Sequence, residues 1–230
     1  MNIYLAGEHP VKNGSRALAS IIGGGQDDMN IYMAGGITGN LRPDGTKVAG
    51  GVEDEVKMKG VKILESFFYC RDNDWIPKLL PYLGDFLLDS GAFSFRQASA
   101  RADWVEYTDA YIDWINRHKV KLFFEMDIDG IVPLTEVEML RKRIERGTGK
   151  QPIPVWHANR GYDYYKRMCQ EFPYVAVATT PFGIEGRTWR KNPAALEHFI
   201  KLAHQNGAKI HGLGYTSVEG IKRFPFDSVD

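Results

Sequence analysis

Phe86-Leu87-Leu88-Asp89-Ser90-Gly91-Ala92-Phe93 is a short apolar run that breaks off into a carboxylate, a hydroxyl and a glycine. A run of this length bounded by turn residues suits a strand covered on both faces. The glycine after the polar pair lets the backbone turn tightly or approach a ligand closely. Other stretches end in the same manner. Lys121-Leu122-Phe123-Phe124-Glu125-Met126-Asp127-Ile128-Asp129-Gly130 repeats the apolar, acidic, glycine order, and Ile153-Pro154-Val155-Trp156-His157-Ala158-Asn159 ends in an imidazole and an amide. Phe226-Asp227-Ser228-Val229-Asp230 closes on an aspartate. Polar groups thus collect at one end of several strands.

Working outward, Asn2-Ile3-Tyr4-Leu5-Ala6-Gly7 recurs almost verbatim as Asn30-Ile31-Tyr32-Met33-Ala34-Gly35, and one copy is expected to be the first strand. Val61 to Cys70, Tyr174 to Thr179 and Lys209 to Gly214 are further strand candidates. Between them, Trp104, Tyr107, Tyr111, Ile112 and Ile115 recur at helical spacing. Thr135 with Glu138 suggests a capping box for a helix stopped by Gly147, and Asn192-Pro193 opens a helix that Gly207 ends. Thr216 with Glu219 suggests the cap of a short helix through Arg223. Eight strands alternating with helices argue for a parallel sheet closed into a TIM-like (β/α)8 barrel, an α/β fold, with an open doubly wound sheet as the alternative. The expectation is one domain over residues 1–230, with 1–28 a candidate N-terminal extension and completeness of the barrel at the C-terminus left open. Catalytic groups of such barrels sit at the carboxyl ends of the strands. Asp89, Asp127, His157 and Asp230 fall there.

Composition narrows the function classes. Lys plus Arg equals Asp plus Glu at 29 each, so no overall basic field marks a polyanion partner, and nucleic-acid binding would rest on a local patch. Cys70 and Cys169 are the only cysteines and form no Cys-x-x-Cys pair, which suits a reduced, cytoplasmic protein without a cysteine zinc site. No stretch resembles a signal peptide or approaches the roughly 20 apolar residues of a membrane span. Neither a Gly-x-Gly-x-x-Gly turn nor a Walker loop is present, which weighs against common nucleotide cofactors.

Three aspartates brought to one barrel mouth would suit a metal site, glycosidic chemistry or loop capping. Only Asp127 with Asp129 offers the close spacing that a divalent ion favours, so no metal is expected. Glycosyl transfer with retention needs a carboxylate nucleophile and a second acid or base about 5 Å away, and this inventory meets the requirement.

Leu88-Asp89-Ser90-Gly91-Ala92-Phe93 resembles the Asp-Ser-Gly-Gly-Phe motif of the tRNA-guanine transglycosylase family, with Ala92 replacing the second glycine. Met126-Asp127 is similar to the family's Phe-Asp-Glu strand end, His211-Gly212-Leu213-Gly214 to its Met-Gly-Val-Gly strand, and Phe226 to Asp230 to the strand that carries its nucleophile. The tail from Gly214 resembles most the phage and genomic-island branch, which inserts 7-deazaguanine bases into DNA. The likeness spans roughly Ile31 to Asp230. It implies a base exchange in which Asp230 displaces guanine from C1′, Asp89 assists proton transfer on the base, and Asp127 accepts from guanine N1 and N2. It further implies that Ser90, Gly91, Phe93, His157, Asn159, Thr179, Gly212 and Gly214 line the substrate site. The partner would be nucleic acid, DNA favoured over tRNA, together with a 7-deazaguanine base. The family's zinc motif has no counterpart in these residues, and no cofactor is implied. Ala178-Thr179-Thr180-Pro181 stands where the family has Gly-Gly-Leu-Ala.

An extruded base would need an aromatic platform, for which Phe93, Phe95, Tyr162 and Trp156 are candidates. Arg96, Arg160 and Arg187 stand just past strand ends and suit phosphate contacts. The plain structural readings are that Asp89 makes an ordinary turn, that His157 and His211 are core histidines, and that Phe67-Phe68-Tyr69 is core. Arg141-Lys142-Arg143 reads as a solvated helix face. Two alternatives to base exchange stay open: a barrel hydrolase of glycosides or nucleosides, and a catalytically inactive nucleic-acid-binding paralogue.

Overall fold

Apolar runs punctuated by glycine and proline give the alternation that the sequence predicts. The structure is a computed structural model that describes residues 29–35, 60–73, 76–91, 103–179 and 192–230. In chain order the elements are β1 (Asn30–Ile31), β2 (Met33–Ala34), β3 (Lys62–Ser66), α1 (Phe67–Cys70), α2 (Ile76–Leu79), β4 (Asp85–Asp89), α3 (Trp104–His118) and β5 (Leu122–Phe123). They continue with α4 (Leu134–Thr148), β6 (Val155–Trp156), α5 (Tyr162–Glu171), β7 (Tyr174–Ala178), α6 (Pro193–Gln205), β8 (Lys209–Leu213), α7 (Val218–Arg223) and β9 (Ser228–Val229). The second Ile-Tyr copy supplies β1 and β2, whereas the first lies outside the described residues. The fold is α/β with parallel sheets, and neither sheet is closed. No helix among the described residues is long and apolar enough to cross a membrane.

The chain divides into two compact units, Gly35–Pro154 and Met1–Ala34 with Val155–Asp230. In the first, β3, β4 and β5 lie side by side, with Ser66 opposite Asp89 and Leu88 opposite Phe123. A parallel bridge from Phe124 to Ile153 extends this order. Ile63, Leu64, Phe86, Leu87, Leu88 and Phe123 are buried, as a strand covered on both faces requires. Asp103 caps α3 by accepting from the Val105 and Glu106 amides. The helix buries Tyr107, Tyr111, Trp114 and Ile115, and Phe67 meets Tyr107 and Tyr111 edge-on at 5.1 Å each. The Tyr111 hydroxyl lies 3.1 Å from the Leu88 carbonyl and 3.0 Å from that of Phe124, fastening α3 to β4 and the β5 end.

In the second unit the strand order is β1-β9-β8-β7-β6, all parallel. Asn192 caps α6 through the Ala194 and Ala195 amides, with Pro193 in the first turn, as the sequence predicts. Trp156, Tyr165 and Phe199 form the aromatic contact between this sheet and its helices.

Several local expectations are corrected. The strand expected through Cys70 stops at Ser66, and Phe67–Cys70 form a helical turn. That turn puts Phe67 and Cys70, three apart, on the buried side and leaves Tyr69 49% exposed, so the aromatic triplet is not all core. Helix α4 begins after Pro133 with no side-chain cap, and Thr135 lies inside its first turn. Gly147 does not stop this helix, which runs to Thr148 and ends on left-handed Gly149 (φ 67°). Gly147 instead lets α4 approach α3, since a Cβ there would fall 2.7 Å from Ile112 Cγ2. Ser217, not Thr216, caps α7, its Oγ accepting from the Gly220 amide.

Candidate functional site

In the unit Gly35–Pro154 the Asp-Ser-Gly stretch leaves the end of β4, and each residue has a defined part. Asp89 Oδ2 accepts from the Gly91 amide at 2.9 Å, folding the chain over its own carboxylate. Ser90 is fully buried and its Oγ donates to Asp127 Oδ1 at 2.6 Å, which joins the end of β4 to the segment that follows β5. The Ser90 carbonyl accepts from the Tyr107 hydroxyl at 2.8 Å. Burial, reinforced by the Asp89 carboxylate, pushes the Tyr107 and Tyr111 phenols well above their ordinary range, so both stay protonated donors. Gly91 sits at φ 86°, and a Cβ there would fall 2.8 Å from Phe68 Cβ and 2.9 Å from the Phe68 amide nitrogen. Only glycine fits this turn without strain.

Negative charge is concentrated around these strand ends. Burial, then Glu65 and Asp89, pushes the Cys70 thiol up, so it is an inert thiol and not a nucleophile. Glu65 and Glu125 are fully buried carboxylates that the sequence reading did not single out. Their signal is an acid interrupting an otherwise apolar strand, which is costly to bury without a partner. Glu125 Oε2 accepts from Arg141 Nη1 at 3.0 Å, and Arg141 is only 7% exposed. Arg141 therefore leaves the solvated face to which the sequence reading assigned it, because the α4 position opposite Glu125 calls for a cation. Arg143, by contrast, is half exposed and forms a two-point ion pair with Asp109 of α3.

In the unit Met1–Ala34 with Val155–Asp230, Asp230 follows β9 and is 4% exposed. Its Oδ1 accepts from the Gly214 amide at 2.8 Å and faces His211 Nε2 at 3.0 Å. Oδ2 makes no hydrogen bond among the described residues, so one oxygen is held and the other is available. Gly214 turns out of β8 at φ 70°, a left-handed conformation that brings its N–H to the carboxylate. His211 is fully buried in β8; its Nδ1 meets Ser228 Oγ, which in turn meets the Tyr174 hydroxyl. Asp227, three residues earlier, accepts from the Ile210 amide and meets His204.

The other expected lining residues fall into two groups. Thr179 is buried and its hydroxyl donates to the Leu213 carbonyl, tying β7 to β8. Gly212 makes room for Tyr215 and Phe226, whose atoms would lie 3.1 and 3.2 Å from a Cβ. Both therefore have packing duties that account for their identity. His157 follows β6 and is buried, and Asn159 is exposed on the succeeding 3-10 turn. Trp156 is 5% exposed, donates to the Gly161 carbonyl and packs on Tyr165 and Phe199. It is a core residue and not a stacking platform. Tyr162, 40% exposed, keeps an accessible ring and bonds His198. Arg160 is 8% exposed and lies over the Tyr164 ring, with exposed Arg167 also over that ring at 4.8 Å. Phe93, Phe95, Arg96 and Arg187 lie outside the described residues.

Chemically, one unit holds a carboxylate with a restrained oxygen and a free one, suited to nucleophilic attack or to accepting a proton. The other holds Asp89 and a Ser90–Asp127 pair, suited to proton transfer and to binding N–H donors. Among the described residues no group of three His, Cys, Asp or Glu could hold a metal ion. Comparison of the chain with family models, curated proteins and solved structures finds no match in any of the three.

Proposed function

We propose that this chain is a base-exchange transglycosylase that replaces guanine in nucleic acid, DNA in preference to tRNA, with a 7-deazaguanine base. The observation that carries the reading is Asp230: a carboxylate at the end of the last parallel strand, buried, with Oδ1 fixed by two donors and Oδ2 left for chemistry. In the reaction, an Oδ2 electron pair forms a bond to C1′ while the C1′–N9 pair departs with guanine, which takes a proton from a general acid, the part that the family resemblance gives to Asp89. The incoming base then loses its N9 proton to Asp89 and attacks C1′, and the Oδ2–C1′ pair returns to the carboxylate. Atoms and charge balance with no external reductant or oxidant. Asp127, oriented by Ser90, accepts from the guanine N1–H and N2–H groups.

A (β/α)8 barrel is part of this proposal. Two features support it: β1 and β9, the first and last strands among the described residues, are paired, and Phe124 bridges Ile153 beyond β5.

The test is uptake of tritiated guanine into DNA or tRNA. The proposal expects acid-precipitable label with the unsubstituted protein and none with Asp230→Asn. Tight binding without uptake would instead indicate a non-catalytic binding protein, and release of base from free nucleosides would indicate a hydrolase.

A further inference from the structure

Tyr174, Ser228 and His211 form a continuous hydrogen-bonded chain that leads to Asp230. His211 on β8 stands in register with Ser228 on β9, and Asp230 lies two residues beyond Ser228. The period of two along a strand therefore turns Ser228 and Asp230 to the same face as His211. Tyr174, from the start of β7, reaches Ser228 Oγ with its hydroxyl. His211 and Ser228 are fully buried and Tyr174 is half-buried, so the two inner members are shielded from bulk water.

We infer that His211 is a positioning residue for Asp230 and that Ser228 and Tyr174 set its tautomer. An ionised Asp230 only accepts, so His211 Nε2 carries the proton and donates to Oδ1. In the tautomer we infer, Nδ1 is bare and accepts from the Ser228 hydroxyl. Ser228, having given its proton, accepts from the Tyr174 phenol. Every hydrogen bond runs one way, from Tyr174 to Ser228 to His211 to Asp230. The second-layer partner of a reactive group commonly fixes ring orientation in this manner.

For the exchange proposed above, on which the catalytic part of this inference rests, the arrangement has a directional effect. Donors on Oδ1 stabilise the free carboxylate more than the ester formed through Oδ2. They hold Oδ2 toward its target in the first half-reaction and favour return of the electron pair to Asp230 in the second. Removing the His211 donor therefore slows turnover without altering nucleic-acid affinity.

Two substitutions separate this role from mere packing. The amide nitrogen of glutamine reaches the place of Nε2, whereas that of asparagine reaches only the place of Nδ1. In the full chain, His211→Gln is expected to keep exchange of tritiated guanine into DNA within about fivefold of the parent, and His211→Asn to lower kcat roughly 10–100-fold with KM for DNA unchanged. Equal losses in both variants, in step with their unfolding midpoints, would overturn the inference. Independently of activity, nitrogen-15 NMR of the parent protein is expected to show His211 neutral with its proton on Nε2, and Ser228→Ala to disturb that state. A parent ring protonated on Nδ1 alone would overturn the inference by itself. Absence of guanine uptake by a parent showing the expected tautomer would remove the transglycosylase reading and leave the hydrogen-bond chain established.

Discussion

Replacing Gly91 by alanine isolates the demand made by the turn that carries Asp89 and Ser90. The residue sits at φ 86°, where an L side chain costs about 1–2 kcal/mol. The new Cβ would also stand 2.8 Å from Phe68 Cβ and 2.9 Å from the Phe68 amide nitrogen, so the start of α1 must shift. Overpacking of this kind costs roughly 1–3 kcal/mol, giving roughly 2–5 kcal/mol in all. Gly149→Ala is the control, since φ is 67° there but nothing lies within 4 Å of the added Cβ. It should cost only the backbone share, about 1–2 kcal/mol. Urea unfolding of the two variants measures the difference directly, and at about 2–4 °C per kcal/mol the Gly91 variant should melt well below the control. Equal destabilisation at the two sites would refute the claim that Phe68 closes over this turn.

The buried Arg141–Glu125 pair leads to a second expectation. Arg141→Met leaves a fully buried carboxylate without its guanidinium and should cost about 3–5 kcal/mol, while Arg141→Met with Glu125→Leu should recover most of that in the same unfolding assay. A third concerns pH. The Arg143 hydrogen bonds hold the Asp109 carboxyl below its ordinary value, so its contribution is complete above the ordinary carboxylate range and is lost as pH falls through the lowered value. Both partners are largely solvated, so Asp109→Asn should shift the urea midpoint only slightly at neutral pH, less in high salt and not at all in strong acid. A large shift that persists at acid pH would contradict this.

The strands were legible because each is an apolar run closed by turn residues, and Phe86–Leu88 or Val175–Val177 needs no tertiary information to be recognised. The acidic strand ends were legible for the same reason: a carboxylate where an apolar run stops stands out. The helical turn at Phe67–Cys70 was hidden because three aromatics favour a strand locally, and only packing of Phe67 on Tyr107 and Tyr111 selects the turn. Arg141 looks solvated in the sequence because its charged neighbours set the local composition, while its partner Glu125 is supplied by a different element. His211 is a buried, hydrogen-bonded core histidine, but its partner Asp230 is reached across two adjacent strands and not along the chain. The Tyr174–Ser228 contact spans 54 residues and has no pattern in the sequence at all.

The proposed exchange requires that Asp230 attack C1′ of a nucleotide. Incubating the chain with guanine-containing DNA, quenching in acid, digesting with protease and analysing by mass spectrometry reads this out at one residue. A glycosyl adduct is expected on the peptide containing Asp230, absent in Asp230→Asn and discharged by added guanine. An adduct carried by another residue, or one undiminished in Asp230→Asn, would contradict it.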